Sequence, residues 1–272
     1  MTIKEIARAK INLCLHVVGQ RADGYHLLDS VVGFAEFGDV LTFEPAEQTT
    51  LTIGGPFGDG LSGEADNLIL KAARCFSGGK GAAIHLEKNL PIASGIGGGS
   101  ADAAAALRGL ARLWNEPLPA VAMQLALGAD VPVCMDHQTV RMRGIGEDIS
   151  PITGVTAKAM VLVNPNVSVS TPTIFKALQS KENPPLDPQG MDAWAWISNQ
   201  RNDLQPPAIA VAPVIARVLA ALEETQATLT RMSGSGATCF GVYEAEAAAN
   251  DAAQQIAAQY PDWWVQTTRL TT

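Results

Sequence analysis

A run of glycines near the middle of the chain constrains the fold more than any other feature of the sequence. Residues 95–100 read GIGGGS, so four of six consecutive residues are glycine. Because glycine has no Cβ atom, the backbone of such a run can turn tightly and bring its N–H groups close to an anion. Residues 82–86 predict a strand before the run, and residues 99–114 predict a helix after it, since apolar residues recur there at helical spacing. We therefore predict a loop that leads from a strand into a helix.

A loop at the start of a helix is suited to binding phosphate. The first helical turn has N–H groups without intrahelical partners, and it carries the positive end of the helix dipole. The sequence does not match a Walker A loop, because Gly81 rather than Ser or Thr follows Lys80. It does not match a dinucleotide fingerprint either, because Ser100 stands where the third glycine belongs. The pattern alone leaves two interpretations, a phosphate site and a flexible surface turn.

The composition limits the classes of partner. The chain has 272 residues, of which 47% are hydrophobic, and its net charge is −8. This composition is that of a globular protein, and the acidic balance argues against nucleic acid or an anionic membrane as a partner. No apolar run reaches the roughly 18 residues of a membrane span, and the N-terminus lacks the apolar stretch of a leader. We expect a soluble, cytoplasmic protein whose oligomeric state the sequence does not give.

The apolar pattern predicts a chain that mixes strands and helices. Residues 5–18 predict one long strand, and residues 31–34 and 40–43 predict two further strands. Residues 131–135 predict another strand. In the second half, predicted strands and helices alternate, and residues 211–222 form the clearest amphipathic helix.

Two other segments can contribute to a functional site. Residues 9–15 (AKINLCL) place Lys10 in an otherwise apolar strand, where a lysine either extends its ammonium to the surface or has a specific partner. Residues 232–241 (MSGSGATCFG) lie between two strand-like runs. This last segment is either a glycine-rich hairpin or a second backbone wall against a ligand, and spacing does not decide between the two.

These three segments, in this order, resemble the motifs of the GHMP kinases, the family named for galactokinase, homoserine, mevalonate and phosphomevalonate kinases. The resemblance extends over nearly the whole chain. It implies an ATP-dependent small-molecule kinase with an α+β, two-lobed GHMP kinase fold. The N-terminal lobe, with the ATP loop, is expected in residues 1–153 and resembles ribosomal S5 domain 2. The C-terminal lobe, residues 154–272, is expected to be ferredoxin-like.

Finer detail resembles one branch of this family. The similar stretches are residues 19–28 (GQRADGYHLL), the spelling GIGGGS of the loop, residues 128–132 (GADVP) and residues 164–171 (NPNVSVST). The branch implies transfer of phosphate from ATP to the tertiary 2-hydroxyl of 4-diphosphocytidyl-2-C-methyl-D-erythritol, in the non-mevalonate isoprenoid precursor pathway. The implied partner is a small molecule with a cytidine diphosphate group.

The resemblance also implies catalytic roles. Asp130 matches the base that accepts the proton of the reacting hydroxyl, and Lys10 matches the lysine that assists it. An ammonium near a carboxylate keeps it ionised and can polarise the hydroxyl or the phosphate. Asn12 matches a residue near the reacting hydroxyl. The pattern alone also allows Asp130 to be an ordinary turn residue after Gly128.

The remaining residues implied by the resemblance bind the cytidine end of the substrate and ATP. Tyr25, His26 and Phe175 match residues that hold the cytidine, since aromatic faces stack on a pyrimidine and His26 can hydrogen-bond the edge of the base. Phe175 can equally be a core residue. ATP is implied to bind along the loop, at Pro91, Ile92, Ala93, Ser94, Gly95, Ile96, Gly97, Gly98, Gly99, Ser100 and Ala101.

The loop departs from the family pattern in two respects. Ala101 and Asp102 follow Ser100, where the family often has a second serine, and Gly98 and Gly99 replace the usual serines of the loop. We therefore predict no protein ligand for a metal and expect Mg²⁺ to arrive as Mg-ATP, held by phosphates and water. Two alternatives remain, a GHMP kinase for another small alcohol such as homoserine or mevalonate, and a non-catalytic binding protein with this fold. Tight binding of NAD would indicate a third, an oxidoreductase.

Overall fold

The computed structural model describes residues 2–59, 61, 66–187 and 192–271. These residues mix strands and helices, as the sequence predicts. The strands are β1 (Ile3–Gln20), β2 (His26–Ala46), β3 (Thr50–Gly54), β4 (Gly81–Glu87), β5 (Val140–Gly144), β6 (Asp148–Pro151), β7 (Ala159–Asn164), β8 (Leu229–Met232), β9 (Cys239–Tyr243) and β10 (Trp264–Arg269). The helices are α1 (Leu68–Ala73), α2 (Gly98–Trp114), α3 (Val121–Leu127), α4 (Thr171–Lys176), α5 (Ala193–Ser198), α6 (Gln205–Val211), α7 (Val214–Glu224) and α8 (Glu246–Gln259), with a 3₁₀ turn at Val133–Met135.

The described residues form two compact units whose segments alternate along the chain. The first unit takes its residues from Met1–Ala9, Phe37–Ile92 and Gly97–His137. The second takes its residues from Lys10–Glu36, Ala93–Ile96 and Gln138–Thr272. β1, β2 and the glycine loop therefore each contribute to both units. The domain boundary placed after residue 153 stays a prediction.

In the first unit, the strand order is β3-β4-β2. β3 runs parallel to β4, and β4 runs antiparallel to the second half of β2. α2 packs closely on β2, because a Cβ atom at Gly109 would lie 2.3 Å from the Phe43 ring. α1 begins after Asn67, whose side chain accepts a 2.9 Å hydrogen bond from the backbone N–H of Ile69. This packing fixes α2, the helix that the glycine loop enters.

The second unit contains a four-stranded antiparallel sheet with the order β10-β7-β9-β8. α7 precedes β8 along the chain, and α8 joins β9 to β10. This arrangement of two β-α-β units is ferredoxin-like, as the resemblance implies. β7 is buried at every residue, and α7 contributes Ile215, Val218 and Leu222 to the same core. In this unit the first half of β2 also pairs antiparallel with β5, and β5 with β6.

The prediction of two strands in residues 31–43 is wrong, because β2 is one strand of 21 residues. Gly38 lies between the two predicted strands. In the structure a Cβ atom there would lie 2.1 Å from the carbonyl oxygen of Ala7, so the glycine allows β1 to approach an unbroken strand. The long strand predicted at residues 5–18 is confirmed by β1.

Two further predictions need correction. Residues 131–135 do not form a strand, because Pro132 has a helical conformation with φ −58° and ψ −40° and begins a 3₁₀ turn, in which Val133 is buried. The amphipathic helix predicted at residues 211–222 is interrupted near its start. Pro213 has no N–H group to continue a helix, so Val211 ends α6 and α7 begins at Val214. Of the helices in the described ranges, none is long and apolar enough to cross a membrane.

Candidate active site

The first half of the glycine loop is held by hydrogen bonds within the second unit. The backbone N–H of Lys10 in β1 donates to the carbonyl of Ile96 at 2.9 Å. On the other side, the N–H of Thr238 donates to the carbonyl of Ser94 at 3.1 Å. The three segments singled out in the sequence therefore meet at residues 94–96, and this part of the loop is not a flexible surface turn.

The hydroxyl of Ser233 lies at the junction of these segments. It donates to the carbonyl of Gly95 at 3.0 Å and accepts from the backbone N–H of Asn12 at 3.1 Å. Ser233 is fully buried. A Cβ atom at Gly95 would lie 2.5 Å from the carbonyl oxygen of Ser233, and the φ of Gly95 is 78°, so only glycine fits this contact. The segment at residues 232–241 is thus both a hairpin between β8 and β9 and a wall against the loop.

Asn202 also holds the segment at residues 232–241, and the sequence analysis did not identify this residue. Its Nδ2 donates to the carbonyls of Met232 at 2.7 Å and Gly234 at 2.8 Å. Its Oδ1 accepts from the N–H of Leu204 at 2.9 Å, so the buried amide is used at both ends. A lone asparagine between loops carries no local pattern that would identify this role.

Arg231 is a second residue that the sequence did not reveal. Its buried guanidinium donates to the carbonyls of Leu13 in β1, Ile197, Ser198 and Gln200. Burial lowers the pKa of Arg231 to about 10, so the group stays charged at neutral pH. This guanidinium therefore connects β1, at the residue that follows Asn12, to the end of α5.

Lys10 and Asn12 are both buried in β1. Only 5% of Lys10 is exposed, which excludes the interpretation that its ammonium extends to the surface. The Nδ2 of Asn12 donates to the Ser30 hydroxyl at 2.8 Å, and that hydroxyl donates to the carbonyl of Cys14. This chain of bonds fixes the amide orientation. The Asn12 Oδ1 is buried and has no hydrogen-bond partner within the described ranges.

Of the three residues predicted to hold cytidine, two are in contact. The rings of His26 and Phe175 stack with centroids 4.7 Å apart and an interplanar angle of 23°. Burial, with the charge of Lys181, lowers the pKa of His26, which is therefore neutral at pH 7. Its Nε2 is buried and has no partner among the residues described. Tyr25 is 60% exposed at the turn after β1.

The second half of the glycine loop belongs to the first unit and begins α2. Gly97 has a φ of 66° at the N-cap and no side chain caps the helix. Among the described residues, a Cβ atom at Gly99 would meet Leu68 alone, at 3.5 Å. The N–H of Ala101 already donates to the carbonyl of Gly97 at 2.9 Å, so it is not one of the free donors of the first turn.

Asp130 lies in the first unit, half-buried between α3 and the 3₁₀ turn. The Val131 N–H donates to the carbonyl of Gly128 at 3.0 Å, and the Cys134 N–H donates to the carbonyl of Asp130 at 3.3 Å. Two turns therefore fix its backbone. In the ranges that the structure describes, no group of three or more His, Cys, Asp or Glu side chains could hold a metal ion.

Comparisons with known proteins agree with this geometry. The sequence profile of the GHMP kinases N terminal domain matches residues 67–137, and that of the GHMP kinases C terminal matches residues 195–262. A 4-diphosphocytidyl-2-C-methyl-D-erythritol kinase from Cereibacter sphaeroides is 56% identical over an alignment that covers 97% of this chain and 98% of the relative. The chain belongs to this family of GHMP kinases.

Solved structures support the same family. A crystal structure of a 4-(cytidine 5'-diphospho)-2C-methyl-D-erythritol kinase matches with a TM-score of 0.85 and 30% identity, over 99% of this chain and 100% of that one. A homoserine kinase from Cytophaga hutchinsonii matches with a TM-score of 0.66 over 100% of this chain and 95% of that one. Because the sequences are only 17% identical, this match is evidence for the fold and not for the activity. The predicted α+β, two-lobed GHMP kinase fold is confirmed.

Replacing Ser233 by alanine tests the junction. The change leaves the buried N–H of Asn12 without an acceptor, which costs about 1–3 kcal/mol of unfolding free energy. Urea unfolding measures this loss. The control is Ser198→Ala, which removes an exposed hydroxyl that donates to the carbonyl of Trp194. Equal unfolding free energies for the two variants would show that Ser233 does not hold the junction.

Proposed function

We propose that this chain transfers the γ-phosphoryl group of ATP to the 2-hydroxyl of 4-diphosphocytidyl-2-C-methyl-D-erythritol. The observation that carries this proposal is the connection of the glycine loop, Asn12 and the third motif through the Ser233 hydroxyl, in a chain of this family. The relative from Cereibacter sphaeroides bears the name of that activity over almost its full length.

The residues of the loop suit the phosphates of ATP. Gly97 and Gly99 carry no side chain that would fill the space at the start of α2, and the first turn of this helix offers backbone N–H groups to an anion. The Ser100 hydroxyl can add a donor. Mg²⁺ is expected to arrive with ATP, and it would neutralise phosphate charge when bound.

The protein is assigned two chemical tasks. It accepts the proton of the substrate hydroxyl, and it stabilises negative charge near the reacting oxygen. The substrate hydroxyl loses its proton to the Asp130 carboxylate while its oxygen bonds to the γ-phosphorus, and the bond from that phosphorus to the bridging oxygen breaks to release ADP. Lys10 assists by stabilising negative charge near the reacting oxygen. Asn12, whose amide is held by Ser30 and whose Oδ1 has no partner among the described residues, orients the hydroxyl.

The stacked rings of His26 and Phe175 support binding of the cytidine end. A pyrimidine can extend such a stack, and stacking one base on an aromatic side chain contributes about 1–3 kcal/mol. Neutral His26 has a buried ring nitrogen without a partner among the described residues, and we propose that it bonds the polar edge of the base. This pair distinguishes a cytidine substrate from homoserine or mevalonate, neither of which has an aromatic base.

Asp130→Asn tests the assignment of the base. The amide keeps the size of the side chain but cannot accept the proton, so turnover is expected to fall at least about 100-fold, the usual contribution of a general base. ATP affinity should stay within about twofold. A coupled assay of ADP release measures turnover, and calorimetry measures ATP binding. The control is the exposed Asp136→Asn, and an Asp130→Asn rate equal to that control would refute the role.

Phe175→Leu tests the cytidine contact. Leucine keeps an apolar side chain but removes the aromatic face, so KM for the diphosphocytidyl substrate is expected to rise about 5-fold to 100-fold while KM for ATP is unchanged. Phe175→Tyr keeps the ring and should behave like the wild type. If leucine leaves both KM values unchanged, Phe175 serves only to pack α4 against the core.

A further inference from the structure

A buried group of three charges lies beneath the start of α2. The ammonium of Lys88 donates to Asp39 Oδ2 and to Asp102 Oδ2, at 2.6 Å in both cases. The side chains of Asp39, Lys88 and Asp102 are 0%, 4% and 7% exposed. All three belong to the first unit. None of the roles assigned so far uses this ion triad, Asp39–Lys88–Asp102.

The two carboxylates of the triad have unequal surroundings. Asp39 Oδ1 accepts from the backbone N–H groups of Asn89 at 2.6 Å and Leu90 at 2.8 Å, in addition to the bond from Lys88 to Oδ2. Asp102 Oδ1 is buried and has no partner within the described part of the chain. Asp39 thus accepts three hydrogen bonds, whereas among the described residues Asp102 has only the bond from Lys88 to offset its burial.

A proton on the triad therefore belongs to Asp102. Burial, together with the charge of Asp39 and against the opposing effect of Lys88, raises the pKa of Asp102 to about 7. For Lys88, burial favours the neutral amine, but the charges of Asp102 and Asp39 outweigh it and raise the pKa. The charged groups that face Asp102 are thus Lys88, which follows β4, and Asp39 on β2. With Asp102 ionised the triad carries one negative charge, and with Asp102 protonated it carries none.

The triad touches the turn that is proposed to receive the phosphates. A Cβ atom on Gly98, the first residue of α2, would lie 3.2 Å from Lys88 Nζ and 3.8 Å from Asp39 Oδ2. Asp102 itself lies one turn further along α2. A phosphate bound at this turn brings negative charge close to a buried carboxyl, where little water screens the repulsion. Bound phosphate must then favour the protonated form of Asp102.

We propose that Asp102 is a positioning residue for the nucleotide: through Lys88 it holds the first turn of α2, and its carboxyl takes up a proton when the phosphates bind. This inference rests on the proposed ATP site. It predicts that nucleotide affinity falls as pH rises above neutrality, because each bound nucleotide then needs a proton that solution supplies less readily.

Calorimetry with the Mg²⁺ complex of a non-hydrolysable ATP analogue tests the proton uptake. The full chain and its Asp102→Asn variant are titrated at pH 8 in two buffers of different ionisation enthalpy. The wild type should take up more protons than the variant, whose neutral amide cannot titrate. From pH 7 to pH 8.5 the wild-type affinity should fall about twofold to tenfold relative to the variant. Comparing the two proteins cancels ionisation of the nucleotide.

The possible results separate this inference from the proposed function. Equal proton uptake by both proteins, with nucleotide still bound, overturns the role of Asp102 and leaves the ATP site intact. A wild-type chain that binds no nucleotide refutes the ATP site, and this inference with it. If Asp102→Asn does not fold, the wild type alone decides. The proposal is then overturned if the wild type takes up no more protons than ionisation of the nucleotide explains.

Thermal unfolding against pH gives a second readout of the same carboxyl. The pKa of Asp102 is raised from 3.8 to about 7 on folding, so the folded chain binds more protons in this interval. The stability of the wild type should therefore decline relative to Asp102→Asn as pH rises from about 4 to about 7, and the difference should be constant above that range. A difference in Tm that does not change with pH would contradict the buried, titrating carboxyl.

Discussion

The site depends on one junction, at which the Ser233 hydroxyl joins the glycine loop to β1. The hydroxyl bonds Gly95 and Asn12, and the backbone bonds from Lys10 to Ile96 and from Thr238 to Ser94 lie beside it. A glycine run in isolation would lose conformational entropy on binding an anion. Bonds on both sides remove much of that cost, because this part of the loop is already ordered before the ligand arrives.

Much of this site follows from the sequence because its parts are local. The glycines must occur together to form a tight loop, and the helix after them shows its period in Leu107, Leu110 and Trp114, so the loop, α2 and the long β1 could all be predicted. Lys10 was noticeable because a charge in an apolar strand is unusual. The resemblance to the family then gave the order of the motifs, and the comparisons confirm that family.

The rest depends on contacts between residues far apart in the chain, which no local pattern encodes. Asn202 and Arg231 act by bonding backbone carbonyls, and any backbone segment offers those. The ion triad brings together Asp39, Lys88 and Asp102 from three different elements. Gly38, which lies between the two predicted strands, permits close packing of one continuous strand against β1. Local sequence patterns identify loops and helices, whereas the residues that hold those elements in place are identified only by their tertiary contacts.

The identity of the acceptor alcohol is the central claim, and one comparison of substrates tests it. Release of ADP by the purified chain is measured with ATP, Mg²⁺ and, in separate reactions at equal concentration, 4-diphosphocytidyl-2-C-methyl-D-erythritol, homoserine and mevalonate. We expect turnover with the diphosphocytidyl substrate and none above background with the other two. Turnover with homoserine or mevalonate but not with the diphosphocytidyl substrate would contradict it, and so would ATP binding without turnover of any of the three.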